Sequence, residues 1–190
     1  MVGHLIIISR SEILDFIINV GPIYIFEILA AIAGIYYLKK GPTDRITRWL
    51  VIWLWITVFV EIVCSYAPVA YFSDYQYFSI VKDTEFEDNN WIFNIYVIAN
   101  FTFFIYYFAS FVKGKLLNQI IKYSAILYVL ASIMYLFMTD VYFINISQFS
   151  SIAGTLLLLT VIVLFYFQLL KSDAIVNLKY FLPFYISIGV

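Results

Sequence analysis

Charge is scarce in this sequence. Eleven Lys and Arg and twelve Asp and Glu make up 12% of 190 residues, about half the usual quarter. The formal net charge of −1 gives no basic field for phosphates, which excludes a nucleic-acid module. Cys64 and His4 are the single cysteine and histidine. One cysteine rules out an intrachain disulfide, and one residue of each kind rules out a His/Cys metal site or a bis-histidine haem built from one chain. CxxCH, GxGxxG, Walker, HExxH and GxSxG patterns are all missing, and no nucleophile–base pair is visible. No cofactor, metal ligand or catalytic residue is therefore expected, and the chain reads as a non-enzyme. Met1–Arg10 lacks the basic opening and small-residue cleavage site of a secretory signal, so the first hydrophobic span is expected to be retained.

Apolar side chains are abundant instead. Hydrophobic residues reach 64% and aromatic ones 21%, with a mean hydropathy of +0.95. A water-soluble chain of this size cannot hide so much apolar surface, because its exterior must still meet water. The composition predicts an all-α, polytopic helical transmembrane bundle forming a single domain over residues 1–190. A helix needs about 20 apolar residues to cross the hydrocarbon. Reading between charged clusters gives spans at about 16–38, 49–72, 91–112, 117–138 and 152–170. A sixth opens near 180, with Pro183 in a position suited to a helix start. It stops at Val190, too short to cross, so the native chain is expected to continue.

The short loops carry the orientation. Lys39, Lys40, Arg45, Arg48, Lys113, Lys115, Lys122, Lys171 and Lys179 fall on one side, against Arg10 and Lys82 on the other. The positive-inside rule places the first group in the cytoplasm and the N-terminus outside. Glu12, Asp15, Asp74, Asp83, Glu85, Glu87, Asp88 and Asp140 all fall on the external side. Trp49, Trp53 and Trp91 sit near span ends, where an indole can meet both phases; a lipid-facing aromatic belt is the simple account, and a ligand-stacking cage the alternative. The expected location is a bacterial inner membrane, multi-pass.

Ionisable residues inside spans are expensive and therefore informative. Glu27 and Glu61 lie near the centres of the first two spans, and Asn100 near the centre of the third. Ser132 and Thr160 fall close to the same depth in the fourth and fifth. These five form the candidate intramembrane polar site. No Lys or Arg lies at that depth, and two neighbouring carboxylates in a low dielectric cannot both ionise cheaply. Either both are protonated, or they share a proton, or a monovalent cation sits between them. Polar glue between helices is the plain reading; a proton or cation relay, or contact with a helix of another subunit, are the alternatives.

The longest extramembrane segment, 73–90, crowds Asp83, Glu85, Glu87 and Asp88. As a calcium loop it is defective, with Asp88 where glycine belongs and Asn94 where the bidentate Glu belongs. Tyr71, Tyr75, Tyr77 and Phe78 suggest an interfacial helix or docking surface there. Asn145-Ile146-Ser147 is formally a glycosylation sequon, without meaning in a bacterial host. Lys179 is too shallow for a retinal-type lysine, no inverted repeat stands out, and Gly21-Pro22 and Gly34 read as kinking or packing features.

The stretch Asn89-Asn90-Trp91-Ile92-Phe93-Asn94-Ile95-Tyr96, running on to Asn100-Phe101, resembles the uncharacterised seven-transmembrane-helix integral membrane proteins of Bacteroidota. Their third span opens with a similar Asn-rich, Asn-x-Tyr pattern. Glu61 matches an acid late in their second span, and the basic Lys39–Arg48 segment also suits them. Where they often carry an acid four residues after the Tyr, this chain has Asn100. The resemblance implies seven helices, an external N-terminus and a cytoplasmic end past residue 190, but no activity. Function must rest on the residues. A non-enzymatic subunit of a larger sensory, secretion or respiratory membrane complex is the first expectation, with the lipid bilayer and other membrane subunits as partners. A small proton- or cation-coupled transporter or channel using Glu27 and Glu61 is the second.

Overall fold

The computed structural model describes residues 2–40, 44–171 and 182–189, and those residues are helical or in turns, without a strand. The helices are α1 (Val2–Lys40), α2 (Arg45–Cys64), α3 (Tyr66–Phe72), α4 (Asn90–Ala109), α5 (Lys115–Met138), α6 (Val141–Ile144), α7 (Gln148–Leu170) and α8 (Leu182–Gly189), with a 3-10 turn at Ser79–Val81. Among the described residues, five segments are long and apolar enough to cross a membrane: Phe16–Lys40, Arg45–Phe72, Asn90–Ala109, Lys115–Met138 and Gln148–Leu170. Large apolar side chains such as Phe26, Phe59, Leu127, Phe137 and Leu156 point outward along these helices. A helix apolar on its outer as well as its inner face belongs in hydrocarbon. The chain reads as a multi-pass membrane protein. Lys179 and the expected opening of the sixth span at 180 lie outside the described residues; α8 begins at Leu182 with Pro183 in its first turn, where a missing N–H costs nothing.

The chain forms two compact units, Met1–Ile92 and Phe93–Val190. The first is built on an α1–α2 hairpin. Along α1 the less exposed positions are Phe16, Val20, Gly21, Tyr24, Glu27, Ala31, Gly34 and Leu38, a stripe at helical spacing. On α2 the matching stripe is Thr47, Val51, Leu54, Val58, Glu61 and Ser65. Small residues let the two backbones approach: a Cβ added at Gly34 would come within 2.9 Å of Val51 Cγ2. The register is antiparallel, with Gly34 on Val51 near one end and the Phe16 and Phe72 rings 5.5 Å apart at the other. Asp44 caps α2 by accepting from the Thr47 N–H at 3.0 Å, which satisfies one of the unpaired first-turn donors.

The expected second span, 49–72, is helical but broken at Ser65 into α2 and α3. Pro68 explains the break. It has no N–H to offer the carbonyl one turn earlier, Cys64, and its ring crowds that carbonyl. The orphaned Cys64 oxygen instead accepts from Asn89 Nδ2 at 3.0 Å. The segment after α3 shows no interfacial helix beyond the short 3-10 turn. It contains no glycine, yet Asp74, Tyr75, Phe78 and Asp83 all have φ between 50° and 61°, a region that costs a non-glycine residue about 1–2 kcal/mol. Side-chain anchors hold it there. The Tyr66 hydroxyl lies 2.7 Å from the Phe86 carbonyl and 2.9 Å from that of Asp88, and accepts from Trp91 Nε1 at 3.1 Å. Glu87 accepts from the Tyr75 hydroxyl and from the Asp83 N–H.

In the second unit α5 and α7 pack on stripes Ile121, Ala125, Tyr128, Ser132, Leu136 and Ser150, Gly154, Leu158, Val161, Phe165, Leu169. Phe101 of α4 lies edge-on to Tyr128, with ring centres 6.4 Å apart. Gly154 makes room for that pair: a Cβ there would sit 2.4 Å from Phe101 Cδ2 and 2.8 Å from the Tyr128 oxygen. Asn94 is fully buried and organises the α6 end. Its amide nitrogen donates to the carbonyls of Tyr142 and Asn145, both at 2.9 Å, and its oxygen accepts the Ser147 N–H at 2.7 Å. Ser147 in turn caps α7 by accepting the Ser150 N–H. At the opposite end, Gln168 brackets the Lys113 backbone, accepting from its N–H at 2.5 Å and donating to its carbonyl at 2.8 Å.

Candidate functional site

Glu27 and Glu61 meet on the α1–α2 seam. Each is partly buried on the stripe that faces the other helix, and the two carboxyl groups lie within electrostatic reach of one another. Helical spacing supplies their company. Tyr24, three residues before Glu27, places its hydroxyl within hydrogen-bonding reach of the Glu61 and Ser65 side chains. Ser65, four residues after Glu61, donates to the Glu61 backbone carbonyl at 2.8 Å. Glu27 Oε2 is buried without a hydrogen-bond partner. Cys64 is buried beside the same group as a free thiol. The nearest described basic residues along these helices, Lys39, Lys40, Arg45 and Arg48, all belong to the far end of the hairpin.

Two carboxyl groups, a phenol and a hydroxyl come together here, and among the described residues no Lys or Arg acts on either acid; such groups have the donors and acceptors to share a proton. They also make good interhelical glue, because a neutral carboxyl group donates as well as accepts. Sequence reading identified both glutamates by depth and missed Tyr24 and Ser65. Their signal was present as one-turn spacing from each acid.

The other expected site residues belong to the second unit. Asn100 is half-buried on α4 and Ser132 fully buried on α5. Thr160 lies on the exposed face of α7 and donates to its own helix at the Leu156 carbonyl, 2.8 Å away. The most heavily used polar residue of that unit is Asn94, which the sequence marked only as part of an Asn-rich run. That run has a mechanical reading in the structure: Asn89 caps the α2 break and Asn94 ties α4 to the α6–α7 turn. The Asn145-Ile146-Ser147 sequon ends on a serine that is fully buried.

The acidic loop does not assemble a calcium site. Among the described residues no three His, Cys, Asp or Glu side chains converge to hold a metal ion, and Glu87 is already engaged by Tyr75 and Asp83. The bond to Glu87 keeps the Tyr75 phenol protonated, raising its pKa from 10.0 to about 12. No family model matches the chain, and searches of curated proteins and of solved structures return no match.

Proposed function

We propose that this protein is a non-enzymatic subunit of a larger assembly in a bacterial inner membrane, of the sensory, secretion or respiratory kind, and that α1 is the helix that meets its partner. One observation carries this reading. The most apolar window of α1 is only 6% buried within the chain, against 22–33% for the other four candidate spans. Its outward side carries Ile18, Ile25, Phe26, Leu29 and Ile32, a broad aliphatic and aromatic ridge suited to the grooves of another membrane helix. Both glutamates face the seam rather than this ridge, so contact there needs no charged partner. The orientation proposed has the N-terminus outside, with the Lys39–Arg48 turn cytoplasmic and the acidic 73–89 segment external. The Asn-rich opening of α4 supports placing the chain near the seven-helix membrane proteins of Bacteroidota.

The experiment is recovery from native membranes in mild detergent, followed by intact-complex mass. A second polypeptide in fixed stoichiometry is the result expected; a monomer or homo-oligomer overturns the reading. A second function, proton- or cation-coupled transport, is favoured by the unpartnered Glu27 Oε2 beside Glu61. It requires that Glu27→Gln and Glu61→Gln each abolish flux in proteoliposomes while the protein stays folded. Unchanged flux in both variants removes it.

A further inference from the structure

Beside the α2–α3 break lies a groove of about 650 Å³. Its floor includes Ile62 and Val69, on the segment apolar enough to cross a membrane, and its far wall is Phe78, Val81, Phe86 and Trp91. The groove therefore runs from the hydrocarbon level of the helix into the loop that caps it. Phe86 and Trp91 stand edge to face with ring centres 5.5 Å apart, and Tyr66 fixes both through its bonds to the Phe86 carbonyl and the Trp91 indole. The wall is thus held in place by hydrogen bonds.

The loop that supplies the far wall is predominantly acidic. The 73–89 segment carries Asp74, Asp83, Glu85, Glu87 and Asp88 against Lys82 alone. Glu85 directly precedes the groove-lining Phe86, and the Asp88 backbone carbonyl is held by the groove-lining Tyr66; both acids are exposed, while Glu87 is spent on Tyr75 and Asp83. Carboxylates beside aromatic faces attract an ammonium group and repel an anionic head. We propose that this groove is a phospholipid site, with an acyl chain along its apolar floor and the ammonium of an ethanolamine headgroup at Glu85 and Asp88. The occupant follows from the two ends of the groove: one opens on hydrocarbon, and the other presents carboxylates to a primary amine that can donate to them. It rests on the membrane reading of the chain and not on the subunit proposal.

Trp91 is a built-in reporter. With Trp49→Phe, Trp53→Phe and Trp55→Phe, it becomes the only indole. In phosphatidylglycerol vesicles doped with equal small fractions of brominated lipid, brominated phosphatidylethanolamine should quench Trp91 about fivefold more effectively per molecule than brominated phosphatidylglycerol, the scale of one headgroup charge at a membrane surface. Glu85→Gln with Asp88→Asn should erase that preference, and Val69→Phe should weaken quenching by every lipid. Equal quenching by both lipids, or a preference that survives loss of the two acids, overturns the proposal. A preference shared by brominated phosphatidylcholine overturns the ethanolamine assignment. Native mass measurement of the unsubstituted chain from mixed-lipid micelles tests the same point without variants: a retained phosphatidylethanolamine adduct is expected, and retention of phosphatidylglycerol instead would contradict it.

Discussion

The two units of this chain share amides that close helix-end gaps, Asn89 in one and Asn94 in the other, but differ at mid-span. In Phe93–Val190 the heavily used polar residues are neutral and lie toward the helix ends. Asn94 matches two carbonyls and an N–H at once, and Ser147 caps the helix that follows. In Met1–Ile92 two carboxylic acids sit in mid-span on a single helix seam, with a phenol and a serine for company and one oxygen unpartnered. An amide that closes backbone gaps explains itself as architecture, because irregular backbone at a helix end needs partners. A pair of acids in mid-span does not, since alanine or leucine at Glu27 and Glu61 would complete the α1–α2 stripe at lower cost. The contrast sets two mid-span acids in the first unit against neutral, helix-end polar framework in the second.

The largest effect expected from breaking that contrast is at Asn94. Asn94→Ala leaves two carbonyls and an N–H without their partner, and should destabilise the fold by about 3 kcal/mol. Thermal unfolding in detergent measures this, and a loss below about 1 kcal/mol would mean that the hub is redundant. Gly154→Ala comes next, at about 2 kcal/mol, because its methyl group would collide with the Phe101 ring. Gly21→Ala is the control from the other unit. Its nearest neighbour is 3.9 Å away, so the change should be neutral or slightly stabilising, and a cost like that of Gly154→Ala would sink the packing account of α1.

Asn89→Ala should cost about 1 kcal/mol by exposing the Cys64 carbonyl. Pro68→Ala in the same chain restores an N–H for that carbonyl, so the double variant should recover most of the loss. Purely additive losses would refute the capping role of Asn89. The smallest effect is a pH response in the loop. Tyr75 has a raised pKa, so its contribution is complete below the ordinary value of 10.0 and lost as pH rises toward about 12. Carbon-13 tyrosine NMR should show the assigned Tyr75 phenol titrating near the upper value, moving toward the lower one in Glu87→Gln. A Tyr75 resonance that already titrates at the ordinary value would remove the Glu87 anchor.

Hydropathy located all five long helices because hydrocarbon demands apolar runs bounded by charge. Their ends were less legible. Spans expected to open at 49 and 152 open at Arg45 and Gln148, since Asp44 and Ser147 cap helices whose first turns are polar. The third span, expected to reach 112, stops at Ala109, where Asn118 Nδ2 takes the last carbonyl at 3.1 Å and Gln168 holds the turn beyond. Both contacts reach across the sequence, and no local pattern announces them. The break at Ser65 was legible in principle from Pro68, but an apolar run hides a proline from any average. The glutamate pair was readable from depth alone, and Tyr24 only from depth joined to helical spacing.

The most direct test of the subunit account places a photo-crosslinking residue at Phe26 on the outward ridge of α1, with Phe137 on α5 as the control; both side chains are largely exposed. In native membranes the account predicts a single discrete protein adduct from position 26, of the same mass as the polypeptide that co-purifies, and none of that mass from position 137. Lipid adducts alone from both positions would contradict it, leaving α1 as a helix that faces only the bilayer.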